Sequence, residues 1–130
     1  MARLILDSSV VIDSERAGRR LNQVIADDDD IAIAAITAAE LLVGVELADD
    51  AHRAARAAFV RSVLDTVPIE DYDVHVAEAH ARLLAHVRRS GRPRGAHDLV
   101  IAATALARDR IVVTADVHAF ADLPGVSVRG

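Results

Sequence analysis

Four acidic residues, Asp7, Glu40, Asp98 and Asp116, stand where an α/β chain would turn from one element to the next. Asp7 ends the apolar run Leu4-Ile5-Leu6, and Asp116 follows a second run, Ile111-Val112-Val113-Thr114. Glu40 and Asp98 each fall in the first turn of an expected helix. Carboxylates at strand ends and helix starts can converge on one crevice, where they repel one another unless a cation lies between them. Oxygen donors of this kind suit a hard divalent ion, Mg²⁺ or Mn²⁺, and such a site suits chemistry on phosphates.

Each acid also has an ordinary structural explanation. Thr37-Ala38-Ala39-Glu40 fits a capping box, in which the glutamate closes back on the N–H of the cap residue. Asp98 can be a first-turn acid favoured by the helix dipole. The spacing 98, 101, 102, 105 nevertheless puts it on the face of Ile101, Ala102 and Ala105, where a charge needs a partner. Asp7 can cap the helix that follows it, and Asp116 can be a turn residue. Ser9, two residues after Asp7, and Thr114, at the end of the last long apolar run, can hold a carboxylate or a water; they can equally be an N-cap and a strand end.

The remaining polar residues give weaker signals. His75, His80 and His86 do not share the i, i+4 face that a helical metal pair needs and are expected at the surface. His97, beside Asp98, and His118, in the loop after Asp116, can approach the crevice. Asp27 to Asp30 are expected to form a solvated acidic turn. Arg88, Arg89, Arg92 and Arg94 surround Gly91 and Pro93; they form either a basic helix end and solvated loop or a phosphate-contacting rim beside the acidic crevice.

The elements that would position these residues alternate between strand and helix. Strands are expected at 3–6, 31–34, 67–69, 111–114 and 126–128. Helices are expected from about 8 to 14, 19 to 26, 37 to 47, 50 to 64, 74 to 89 and 96 to 108. In the fourth of these helices, Ala51, Ala54, Ala55, Ala58, Phe59 and Val63 would face inward; in the fifth, Val76, Ala79, Leu83, Leu84 and Val87. Such alternation implies a mostly parallel sheet covered on both faces, with a single domain over residues 1–130. Ligands of such sheets bind beyond the carboxyl ends of the strands, where Asp7 and Asp116 fall.

Composition narrows the chemistry further. The 130 residues are 52% hydrophobic but only 2% aromatic, so Ala, Val, Leu and Ile must fill the core. An apolar patch covered by a partner is expected to complete its stability. There is no cysteine, which excludes disulfides, thiolate metal sites and thiol nucleophiles. All fifteen basic residues are arginine, so Schiff-base lysines and lysine phosphate ligands are excluded too. A net charge of −5 argues against holding nucleic acid by bulk charge but leaves local contact with RNA open. No stretch has the length of a signal peptide or a membrane span, so a cytoplasmic protein is expected.

The chain resembles the PIN-domain family, and more closely the VapC-type toxins of bacterial toxin–antitoxin pairs. The resemblance rests on Leu6-Asp7-Ser8-Ser9-Val10-Val11-Ile12 and on Ile36-Thr37-Ala38-Ala39-Glu40-Leu41 with Gly44. It continues with His97-Asp98-Leu99-Val100-Ile101-Ala102-Ala103-Thr104-Ala105 and Val113-Thr114-Ala115-Asp116. These blocks are specific as an ordered set and cover nearly the whole chain. The resemblance implies about five parallel strands in the order 3-2-1-4-5, with helices on both faces. It implies a metal-dependent endoribonuclease that cuts tRNA or ribosomal RNA, a homodimer, and a cognate VapB-type antitoxin whose basic segment blocks the site. Asp7, Glu40, Asp98 and Asp116 match the family's acids, and Ser9 and Thr114 its supporting positions. Where the family often places Asp-Phe after the fourth acid, this chain has Ala119-Phe120, so a second metal would lack an auxiliary ligand.

On this reading Asp7, Asp98 and Asp116 hold Mg²⁺ or Mn²⁺, and Glu40 positions or deprotonates the attacking water. A second reading is a catalytically silent domain that grips an antitoxin or RNA. The scarcity of aromatic stacking platforms counts against independent RNA binding. A third, an aspartyl-phosphate enzyme, is disfavoured because it would ordinarily place a lysine beside the phosphoryl group.

Overall fold

In the computed structural model, which describes residues 1–17, 26 and 28–130, five short parallel strands form one sheet in the order 3-2-1-4-5. In chain order the elements are β1 (Arg3–Leu6), α1 (Ser8–Arg16), β2 (Asp30–Ala34), α2 (Ala35–Glu46), α3 (Arg53–Thr66) and β3 (Ile69–Glu70). They continue with α4 (Val74–Ser90), α5 (Ala96–Arg108), β4 (Ile111–Val113), a 3₁₀ turn (Val117–Ala119) and β5 (Val128–Arg129). The helix expected over 19–26 lies outside the described residues, save for Ala26. Among the described residues, no helix is long and apolar enough to cross a membrane.

β1 is the central strand because it is apolar on both sides. Leu4 pairs in register with Ile31 of β2 and Ile111 of β4, and Leu6 pairs with Val113. Side chains alternate across a strand. Ile5 therefore packs with Val112 against Val76, Ala79, Leu83 and Val87 of α4 and the buried face of α5. Leu4 and Leu6 point the other way, toward Val11 of α1, Leu41 of α2, and Val60 and Val63 of α3. The sheet is thus covered on both faces, and the ends of β1 and β4 lie side by side.

Most boundaries fall within two residues of those expected, but α3 does not bury the expected face. Val60 and Val63 are buried, while Ala54, Ala55 and Ala58 are exposed. Alanines contribute little area each, so the larger valines set the helix's rotation. α2 begins at Ala35, two residues early, with Ala34 as its N-cap and no side-chain cap. That removes the capping-box explanation of Glu40, since Thr37 lies inside the helix. The solvated acidic turn also needs correction at its far end. Asp29 accepts hydrogen bonds from the backbone of Ala2 and Ala26. Asp30 opens β2 and pairs with Arg3 and the buried Arg110.

An ion-pair network fastens the strands and helices together. The Arg110 guanidinium bonds Asp30, Glu70 and the carbonyls of Leu4 and Asp30. Arg108 bonds Glu70 and pairs with Asp73. Asp73 in turn caps α4 by accepting from the Val76 N–H, and Arg108 holds its carboxyl below the usual value. α4 ends on Gly91 in the left-handed conformation (φ 68°), a position that glycine adopts without a Cβ penalty.

Candidate active site

The structure brings all four acids to one end of the sheet. Asp7 follows β1 directly, and its N–H donates to the Val113 carbonyl at 2.9 Å, which fixes it beside the end of β4. Its side chain is buried, with 7% of the residue exposed. A carboxylate cannot stay charged there without donors, and two hydroxyls supply them. Thr114 donates to Asp7 Oδ2 at 2.8 Å and Ser9 donates to the same oxygen at 3.1 Å. Each hydroxyl accepts a backbone amide as well: Ser9 takes the Ala115 N–H at 3.1 Å, and Thr114 takes the Asp116 N–H at 3.0 Å. The supporting pair therefore does two things at once. It orients Asp7 and pins the backbone that carries Asp116.

The Ser8 hydroxyl, which the spacing of the polar residues did not single out, lies 3.5 Å from both Asp7 Oδ1 and Glu40 Oε2. One hydroxyl hydrogen can serve only one of them at a time. The clue in the sequence was its adjacency to Asp7, but Ser9 was the more obvious partner by spacing. Glu40 Oε1 is buried with no hydrogen-bond partner among the described residues, and so is the Thr37 hydroxyl one turn earlier. An unpartnered buried carboxylate oxygen is costly and marks a place made for a positive charge or a donor. His97 Nδ1 stands 3.6 Å from Glu40 Oε2.

Asp98 lies on the face of α5 that carries the buried Ile101, Ala102 and Ala105, as its spacing required. Its carboxyl titrates above the usual value. Burial is the largest cause, followed by the charges of Asp7, Glu40 and Asp116, with His97 opposing them. Asp116 is exposed, at the mouth of the crevice. Gly95, the N-cap of α5, leaves room for Asp98: a Cβ there would stand 2.9 Å from Asp98 Oδ2.

Among the described residues, no three acidic or imidazole side chains already stand close enough to cage an ion. Mutually repelling carboxylates are expected to rest apart without a counter-charge. The donor set nevertheless fits a hard divalent ion. It offers oxygens alone, one of them buried and partnerless, and it holds an acid whose charge three other carboxylates oppose.

The arginines divide. Arg88 and Arg89 are exposed in the last turn of α4, where cations also complement the helix dipole. Arg92 approaches Asp122 at 3.9 Å on the surface. Arg94 is half-buried and bonded to two backbone carbonyls of the loop after β4. His118 is exposed. His80 bonds Tyr72 at 2.8 Å on the outer side of α4.

A parallel sheet in this order, with acids at the ends of β1 and β4, in the second turn of α2 and at the start of α5, is the arrangement of the PIN-domain family. Residues 4–126 match that family's model, and the chain belongs to it. Within the family it is similar to ribonuclease VapC5 of Mycobacterium tuberculosis, 40% identical over 126 residues, covering 95% of this chain and 89% of the relative. It is also similar to the tRNA(fMet)-specific endonuclease VapC of Salmonella typhimurium, 31% identical over 99 residues, covering 76% of this chain and 74% of the relative. Among solved structures it is similar to VapBC-5 of M. tuberculosis, a member of the VapBC family of toxin–antitoxin systems. That match has a TM-score of 0.78 at 37% identity and covers 99% of this chain and 97% of the other. The family and the sheet order expected from the motif blocks are both as found.

Proposed function

We propose that the chain is a Mg²⁺- or Mn²⁺-dependent endoribonuclease, the toxin of a toxin–antitoxin pair, acting in the cytoplasm on a structured RNA, with tRNA the first candidate. The observation that carries this reading is the acid cluster itself. A buried Asp7 is held by two hydroxyls, and beside it stand Glu40, with a partnerless oxygen, and Asp98, whose charge its neighbours oppose. Its relatives named as a ribonuclease and a tRNA-specific endonuclease support the substrate class.

Asp7, Asp98 and Asp116 would hold the ion, which when bound supplies a Lewis acid for the scissile phosphate and its developing charge. The protein's own residues do the rest. Ser9 and Thr114 orient Asp7 so that Oδ1 is left toward the crevice. Glu40, beside Asp7, accepts the proton of the attacking water; Ser8 and His97 hold its other oxygen. Arg88 and Arg89, which form no ion pair among the described residues, contact the RNA backbone as the chain's net negative charge requires local rather than general attraction.

The proposed partners are a VapB-type antitoxin and a second copy of the chain. Structures similar to this one are VapBC complexes. Leu42, Val43 and Leu47 at the end of α2 are exposed, at 43%, 53% and 81%, and a partner's apolar side chains would cover them.

The rival reading, a silent binding module, draws on the open spacing of the acids. One experiment separates the two. The purified, partner-free protein is incubated with total cellular RNA, with and without Mn²⁺, beside Asp98→Asn, and new 5′ ends are mapped. Discrete cuts that require both the metal and Asp98 are expected. A folded, antitoxin-free protein that cuts nothing would overturn the nuclease reading.

A further inference from the structure

Asp98 and Asp116 belong to separate segments. Asp98 rides in the first turn of α5, and Asp116 stands in the loop after β4. Asp7 is tied to the second of these segments through Ser9 and Thr114, but no hydrogen bond joins either side chain to Asp98 among the described residues. One side chain spans the gap. Arg94, immediately before the Gly95 cap of α5, donates from Nη1 to the His118 carbonyl at 2.8 Å and from Nη2 to the Ala121 carbonyl at 2.7 Å. The first carbonyl lies within the 3₁₀ turn that begins directly after Asp116 and the second just beyond it, and Phe120, 1% exposed, anchors the same turn in the core. A guanidinium presents its donors in a rigid fork, so two carbonyls held this way fix both distance and orientation.

We infer that Arg94 is a positioning residue that sets the spacing between Asp98 and Asp116, and not an arginine that contacts RNA. The inference rests on the proposed nuclease reading, since it assigns Arg94 to the same acid cluster. It separates Arg94 from Arg88 and Arg89, which have no such engagement among the described residues. Its guanidinium is half-buried and two of its five donors are already bonded, so its orientation is set by those carbonyls and not by a phosphate. Lysine cannot replace it, because an ammonium lacks the planar fork that reaches both carbonyls.

The test compares wild type, Arg94→Lys, Arg94→Gln and Arg88→Ala, each confirmed as folded by its urea transition. Mn²⁺ affinity is measured by electron paramagnetic resonance without RNA, and kcat and KM are measured on the RNA that wild type cuts. Both Arg94 variants are expected to bind Mn²⁺ about 10-fold more weakly and to lose kcat by about 10- to 100-fold, with KM for RNA little changed, the usual scale for groups that orient ligands. Arg88→Ala is expected to raise KM and leave Mn²⁺ affinity alone. Arg94→Lys was chosen because it keeps charge and stem; a variant that still binds Mn²⁺ and turns over like wild type would overturn the inference. So would an Arg94→Gln whose only defect is a raised KM that grows with salt, which is the behaviour of a phosphate contact. Wild type that neither binds Mn²⁺ nor cuts would instead sink the nuclease reading, and this inference with it.

Discussion

The hydroxyl of Thr114, at the end of β4, donates to Asp7 Oδ2, at the end of β1, across 2.8 Å of buried space. The same hydroxyl accepts the Asp116 N–H at 3.0 Å. One small side chain therefore links the first acid of the cluster to the last, and does so only because β1 and β4 are neighbours in the sheet.

Thr114→Val tests that link, since valine has nearly the same shape and no hydroxyl. Removing a hydrogen bond to a buried carboxylate should cost about 1.5–3 kcal/mol of stability. Cleavage should fall by about 10- to 100-fold, as for other groups that hold a ligand from behind. Urea unfolding and RNA cleavage with Mn²⁺ check both. A variant as active as wild type would mean that Ser9 alone suffices to orient Asp7.

Asp98 makes stability depend on pH when metal is removed. Its folded-state carboxyl titrates above the ordinary value of 3.8, through burial and the charges of Asp7, Glu40 and Asp116. The folded protein thus holds this proton more tightly than the unfolded chain. The resulting stability is complete below about pH 3.8 and is lost as pH rises through the raised folded value. In EDTA, Asp98→Asn should therefore have a higher urea midpoint than wild type at neutral pH, and the difference should shrink as pH falls toward 3.8. With Mn²⁺ the order should reverse, because wild type alone gains the ion's binding energy. Identical midpoints at neutral pH in EDTA would remove the like-charge account of the cluster.

How far the sequence revealed this site depends on which atoms each residue needs. Asp7 and Asp116 were legible because each ends an apolar run, and the parallel sheet then sets those ends side by side. Asp98 was legible because its spacing put a charge on the face of Ile101, Ala102 and Ala105. Glu40 remained ambiguous, since Thr37 three residues before it mimics a cap; the ambiguity ends only when α2 is seen to start at Ala35. The brace made by Arg94 could not be read, because its partners are backbone carbonyls 24 and 27 residues away. Backbone acceptors leave no mark on residue type. The rotation of α3 was misread for a related reason: alanines on several sides of a helix define no stripe, and Val60 and Val63 decide the matter by size.

Arg110 carries stability rather than function. Its side chain is buried between Asp30 and Glu70 and bonds both. Arg110→Met would leave Asp30 paired with Arg3 alone and Glu70 with Arg108 alone, and would take a donor from the carbonyls of Leu4 and Asp30. Breaking a buried pair costs about 3–5 kcal/mol, and the partial exposure of both acids lowers the expectation to about 2–4 kcal/mol. The urea midpoint should fall accordingly at neutral pH, while the fraction that remains folded should cleave RNA with an unchanged kcat. A loss of kcat without a loss of stability would place Arg110 in the catalytic machinery, contrary to its position on β4's leading end.

Gly95→Ala separates site geometry from stability in the opposite sense. The backbone at Gly95, with φ −58° and ψ 138°, is open to any L-residue, so the substitution strains no torsion. What it meets is the Asp98 carboxylate, 2.9 Å from the new Cβ. A carboxylate can swing away at little cost to the fold, so stability should change by less than about 1 kcal/mol. The swing takes Asp98 out of the cluster, and a displacement of about 1 Å at a reacting centre costs about 100-fold in rate. Urea unfolding and cleavage kinetics on one preparation give both numbers. The variant should unfold like wild type while Mn²⁺ affinity and kcat fall together. If it keeps full activity, Asp98 reaches its working position by a rotamer that does not pass over Gly95. If it unfolds instead, the glycine serves the start of α5 and not the acid.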